Sequence, residues 1–161
     1  MKPVVIVSAG AGLAAAAAVV ALAQASGPQA AAQGLTFLGE PVTQDELRLG
    51  QEVYAANCAA CHGAELEGQP DWRRRQDDGR MPAPPHDASG HSWHHADQAL
   101  LTITKGGVGA IVPGYESDMP AFEGVLSDAE IAAVLGYIKS TWPERERAFQ
   151  AEVTANDEGG S

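Results

Sequence analysis

The chain has 161 residues, enough for one domain once its ends are set aside. Its formal charge is −11, from ten basic and twenty-one acidic residues, which disfavours nucleic acid and anionic membrane surfaces and favours a partner with a neutral or basic docking face. Hydrophobic residues make up 45% but aromatics only 6%, so the apolar core is modest and would gain from a large flat hydrophobe buried in it.

Residues 1–25 read as a signal peptide or membrane anchor. Lys2 is a minimal charged start, and the run from Val4 to Ala23 carries no charge and is long enough to span a membrane. Its alanine-rich composition, with Ser8, Gly10 and Gly12, weakens insertion, and small-residue cleavage sites follow at Ala21-Leu22-Ala23 and Ala23-Gln24-Ala25. Cleaved or retained, this segment places the remainder in the periplasm or on the outer face of the cytoplasmic membrane. Residues 26–35 form a flexible linker, residues 36–143 the folded domain, and no internal repeat is present.

Thr43-Gln44-Asp45-Glu46 has the spacing of a capping box and opens a helix from Gln44 to about Ala56, with Leu47, Leu49, Val53 and Tyr54 at helical spacing. Gly50 inside it lowers helix propensity by about 1 kcal/mol relative to alanine, which a close crossing by another helix would justify. The helix leads into Cys58-Ala59-Ala60-Cys61-His62, the pattern that attaches a c-type haem. Two thiols three positions apart on a helical turn each reach one vinyl group, and His62 supplies the proximal nitrogen to iron. A thioredoxin-like pair would need a strand before Cys58, and no β-branched run precedes it. A zinc site would need two further ligands, which His86, His91, His94 and His95 offer. The histidine directly after Cys61, together with the export segment, favours haem. Both cysteines of the chain would then carry thioethers, leaving none for a disulfide.

After Gly63 the chain is loop-like, punctuated by Gly68, Pro70, Gly79, Pro82, Pro84, Pro85 and Gly90. Arg73-Arg74-Arg75 is followed by Asp77 and Asp78 and reads as a locally neutralised loop rather than a nucleic-acid patch. The cluster His86, His91, His94 and His95 suits a second metal site for copper or zinc. The plainer reading, which we favour, is a loop covering the haem edge, with Arg80 or Trp93 donating to the haem propionates. Asp97 is expected to N-cap a helix containing Ala99, Leu100, Leu101 and Ile103 that stops at Gly106. Gly106-Gly107-Val108-Gly109 ends a helix rather than opening one, so it is not a phosphate loop. Ser127 and Glu130 form a second capping box for a final helix striped by Ile131, Val134, Leu135 and Ile138, with Tyr137 beside the stripe and Pro143 ending it after Trp142. Residues 144–161 are a polar extension, helical at first and then fraying.

A haem held by His62 has a sixth position, and Met81 and Met119 compete for it. Met119, in Asp118-Met119-Pro120, can return from the face opposite His62 after the middle helix, which favours it; an ordinary packing role is the plain alternative for either. The order of a helix with Gly50 and Tyr54, then Cys58-x-x-Cys61-His62-Gly63, then Met119-Pro120, then a capped helix with Val134 and Tyr137, resembles a class I monohaem cytochrome c over roughly Thr43 to Trp142. The resemblance implies an all-α fold of three to four helices around one covalent haem c. It also implies His62 and Met119 as axial ligands, and a meeting of Gly50 and Tyr54 with Val134 and Tyr137. Pro70 is expected to offer the carbonyl that accepts the second N–H of the ligand histidine. The implied activity is electron transport, by a soluble or tethered carrier or by the haem subunit of a respiratory complex. Its partners would be redox proteins such as membrane respiratory complexes or an oxidase. With both axial positions filled no substrate site remains, so a carrier is expected rather than an enzyme. The alternatives are a peroxidase-like haem enzyme with a labile sixth site, using His94 or His95 as acid–base, and a metal-binding protein using the histidine loop.

Overall fold

The computed structural model describes residues 34–159; the expected export segment at 1–25 and the linker before Gly34 lie outside them. The described chain opens with a small antiparallel ribbon of β1 (Thr36–Phe37) and β2 (Glu40–Pro41), Phe37 facing Glu40 across the turn. Both turn residues have positive φ, Leu38 at 51° and Gly39 at 80°, the geometry of a tight two-residue hairpin. A leucine rarely adopts that conformation. It is held there by a long-range bond, the Leu38 N–H donating to Asp97 Oδ2 at 2.9 Å. Phe37 of the ribbon and Leu35 and Val42, which flank it, enter the main core.

Helix α1 (Gln44–Asn57) starts at the expected capping box, with Glu46 N–H donating to Thr43 Oγ1 and Thr43 N–H donating to Glu46 Oε2 at 2.7 Å. A short helix α2 (Ala59–His62) follows directly. A long loop with a 3₁₀ turn at Ser92–His94 leads to α3 (Asp97–Gly106), and a second 3₁₀ turn spans Val108–Ala110. Helix α4 (Asp128–Ser140) carries the second capping box, formed by Ser127 and Glu130. Helix α5 (Glu144–Gly159) closes the described chain. Apart from the two-residue strands, every regular element among the described residues is helical, as an all-α fold requires. None of these helices is long and apolar enough to cross a membrane.

The core is the crossing of α1 and α4. A Cβ on Gly50 would run into the carbonyl of Ala133, 2.6 Å from its carbon and 2.8 Å from Tyr137 Cβ, so only glycine lets the two backbones approach this far. Val134, Ile131 and Tyr54 are buried beside this contact. Tyr137 is only half-buried, its ring tilted against Tyr54 at 5.8 Å between centroids. The expected crossing is present, and Tyr54 is the tyrosine that fills it.

Asp97 does not cap α3. Ala96 holds the N-cap position without a side-chain bond, and the Asp97 carboxylate accepts from Lys139 Nζ at 3.0 and 3.2 Å, from Gln150 Nε2 at 2.7 Å and from Leu38 N–H. Asp97, Lys139 and Gln150 are 1%, 4% and 0% exposed. A carboxylate this deep must be paired, and a lysine reaching it from α4 outcompetes the local backbone. The C-terminal extension is helical to Gly159, and Gln150 and Thr154 fasten it to this node, Thr154 Oγ1 accepting from Asp97 N–H at 3.2 Å.

Candidate functional site

The last turn of α1 runs straight into the two cysteines. Cys58 N–H donates to Tyr54 O, and Cys61 N–H and His62 N–H both donate back to Cys58 O at 3.1 and 2.9 Å. One tight turn therefore carries both thiols and the imidazole. Cys58 is half-buried against the core, Cys61 is exposed and His62 is buried. Burial, reinforced by the neighbouring Cys61, pushes the Cys58 thiol up to about 11. A dithiol redox enzyme needs the opposite, a thiolate at neutral pH, and its motif would follow a strand rather than α1.

His62 Nδ1 lies 2.8 Å from the carbonyl of Pro84. With Nδ1 as the donor, Nε2 keeps its lone pair and is the nitrogen able to bind a metal. The carbonyl belongs to Pro84 and not to the expected Pro70. The cause is a pairing within the loop: Gln69 N–H donates to Ala83 O, Ala83 N–H to Gln69 Oε1, and His86 N–H to Leu66 O, which lays Pro84 across His62. Pro70 stays on the exposed outer turn. Tyr54 Oη donates to Gly63 O at 2.9 Å and to His62 O at 3.3 Å, fixing the histidine backbone, and burial holds this phenol well above the usual tyrosine range. Burial lowers the His62 pKa, partly opposed by the bond to Pro84, which favours the neutral ring.

His86 stacks on His62, with ring centroids 3.9 Å apart and planes 26° from parallel. Its Nδ1 is 3.0 Å from Ser92 Oγ, and its carbonyl accepts from Trp142 Nε1 at 2.7 Å. Burial first, then the His62 and His91 rings, hold it well below the ordinary histidine range. In the sequence His86 is one of four histidines of the loop, and nothing local marks it as the neighbour of His62.

Met119 is half-buried and packs against the core cluster, whereas Met81 is half-buried without belonging to it. The Met119 segment is anchored by Met119 N–H to Ser117 Oγ at 3.1 Å, and by Phe122 N–H and Glu123 N–H to the Thr104 and Lys105 carbonyls at the end of α3. An ion pair of 2.6 Å between Arg80 and Asp118 brings the neighbours of the two methionines together. Arg80 is thereby engaged with Asp118, and Trp93 Nε1 donates to Ala88 O at 3.3 Å; these are the partners of the two side chains expected to serve propionates.

The other loop histidines go separate ways. His91 lies parallel to Trp72 at 5.5 Å, with the Arg73 guanidinium 4.0 Å from the same indole, and His95 meets His91 edge-on. His94 stacks on Trp93 at 3.8 Å, and both touch Phe149 of α5. Among the described residues no three His, Cys, Asp or Glu side chains gather to hold a metal ion.

The donor set nevertheless suits one cofactor. Two thiols and an imidazole with its Nδ1 engaged share a turn, and half-buried apolar side chains including Cys58, Leu100, Leu101, Met119 and Leu126 edge the core. That partly covered apolar rim matches a flat hydrophobic ring that is tethered at two points and ligated through one nitrogen.

A family model described as cytochrome c matches residues 47–142. The chain is 29% identical over 107 residues to a protein of Rhodobacter capsulatus described as Cbb3-type cytochrome c oxidase subunit CcoP, and 28% identical over 108 residues to a protein of the same description from a second strain of that species. Each alignment covers 66% of this chain and 33% of the relative, so the chain spans a third of the length of these relatives. No solved structure matches it significantly.

Proposed function

This chain belongs to the cytochrome c family, whose cofactor is covalent haem c, and from that membership we propose that it is a one-electron carrier with His62 and Met119 as axial ligands. The haem supplies an iron couple whose potential is set by its axial ligands and surroundings. Cys58 and Cys61 would tether it from one helical turn. His62 offers Nε2 to the iron, while the Pro84 carbonyl fixes the tautomer and raises the basicity of the ring. Met119 offers a soft neutral sulfur from a loop pinned to α3, and its packing against the core supports it over Met81. The engaged Nδ1 of His62, on the same turn as both thiols, is the observation that carries this proposal. With His62 and Met119 both bound to the iron, no position would remain for a substrate, which favours carrier over enzyme.

The surroundings extend the proposal. We place the domain in the periplasm or on the outer face of the cytoplasmic membrane, with residues 1–25 as signal or anchor, and with the linker expected at 26–35 ending before Leu35, which is buried in the core. Similarity to subunits of an oxidase supports a redox protein as partner, a membrane respiratory complex or an oxidase. The formal charge of −11 favours a neutral or basic docking face on that partner.

Replacing the sixth ligand tests the ligation. Met119→Ala should lower the reduction potential, abolish the long-wavelength sulfur-to-ferric-iron band and let the ferrous protein bind carbon monoxide. Met81→Ala should leave all three unchanged. The reverse pattern would move the role to Met81, and ready carbon monoxide binding by the unaltered protein would replace the carrier with a haem enzyme.

A further inference from the structure

We infer that His86 is a positioning residue that sets the plane of the His62 imidazole. The inference rests on the proposal that His62 is an axial ligand. The bond from Nδ1 to Pro84 fixes one end of that ring, and a metal at Nε2 would fix the other. These attachments, with the bond from Cγ to Cβ, all lie in the plane of the ring and yield to small turns about Cβ–Cγ. A flat group against a ring face resists such turns, and His86 is one, nearly parallel at 3.9 Å. An aliphatic side chain could fill the same volume but has no flat face to impose an orientation.

His86 is itself held from several directions. Its N–H donates to Leu66 O at 2.8 Å, its carbonyl accepts from Trp142 Nε1, its Nδ1 meets Ser92 Oγ, and its ring stands edge-on to Tyr54 at 6.2 Å. Trp142 is 2% exposed and lies just beyond α4, so the stack is referenced to the packed core rather than to the loop alone. The chain thus uses a histidine as a flat, hydrogen-bonded clamp. Its effect is on ligand orientation, which would contribute to the in-plane electronic asymmetry of a low-spin ferric haem held by His62.

The test is the pattern of haem methyl resonances and g values of the ferric holoprotein, compared with its melting temperature. His86→Leu should lower the melting temperature and also change the order of the methyl shifts and the g anisotropy. His86→Phe, which keeps a flat face, should preserve the order. Ser92→Ala, which releases Nδ1 and leaves the stack in place, should move the shifts in the direction of the leucine variant by a smaller amount, and it serves should His86→Leu not fold. Unchanged shifts and g values in the leucine and Ser92→Ala variants, with only stability altered, would overturn the clamp and leave the ligand proposal standing. Absence of a histidine-ligated low-spin spectrum in the unaltered protein would overturn both.

Discussion

Lys139→Met is expected to destabilise the holoprotein by about 3–5 kcal/mol, because it leaves the Asp97 carboxylate buried without its counter-charge. The two side chains are 5% and 2% exposed, so water cannot take the place of the ammonium. The loss spreads beyond the pair, since the same carboxylate accepts from Leu38 of the hairpin and Gln150 of α5. Adding Asp97→Asn to the methionine variant should recover part of the loss: the amide keeps an acceptor for Leu38 and carries no charge to desolvate. Urea denaturation of the three proteins checks both statements. A neutral Lys139→Met would mean that the pair is solvated and that α5 is held by something else.

Gly50→Val is expected to cost about 3 kcal/mol or more, at the upper end of overpacking, because its Cβ meets backbone rather than a side chain that could swing away. The smaller change Gly50→Ala isolates the argument. Away from any contact it should stabilise the helix by about 1 kcal/mol, through the propensity difference between the two residues. Here the methyl would strike the Ala133 carbonyl and Tyr137 Cβ, so a net loss is predicted. A raised melting temperature for Gly50→Ala would show that α1 and α4 do not cross at this point.

What could be read beforehand was what is written locally. Thr43 with Glu46, and Ser127 with Glu130, place their partners within one helical turn, so spacing alone located both helix starts. The two thiols and His62 are likewise bound by a single turn, and Gly50 showed itself as an unfavourable residue in a good helix. What escaped was decided at long range. The hairpin at Leu38-Gly39 lacks the usual asparagine or aspartate before glycine, because its strained leucine is held by Asp97 rather than by its own chemistry. Asp97 looked like a cap for the same reason that it is useful elsewhere: a short acceptor at a helix start can serve either the backbone or a distant lysine. Pro84 replaces Pro70 opposite His62 because Leu66–Gln69 pair with Ala83–His86, a contact with no signature in either segment. His86 was indistinguishable from three neighbours until that pairing set it against His62.

Covalent attachment is the most direct measurement of the central claim. The purified protein, extracted with acidified acetone and then digested, should keep its colour on the polypeptide, and the peptide containing Cys58-Ala59-Ala60-Cys61-His62 should carry the mass of one haem with neither thiol free to alkylate. Haem passing into the solvent, with both thiols of that peptide open to alkylation, would contradict the claim.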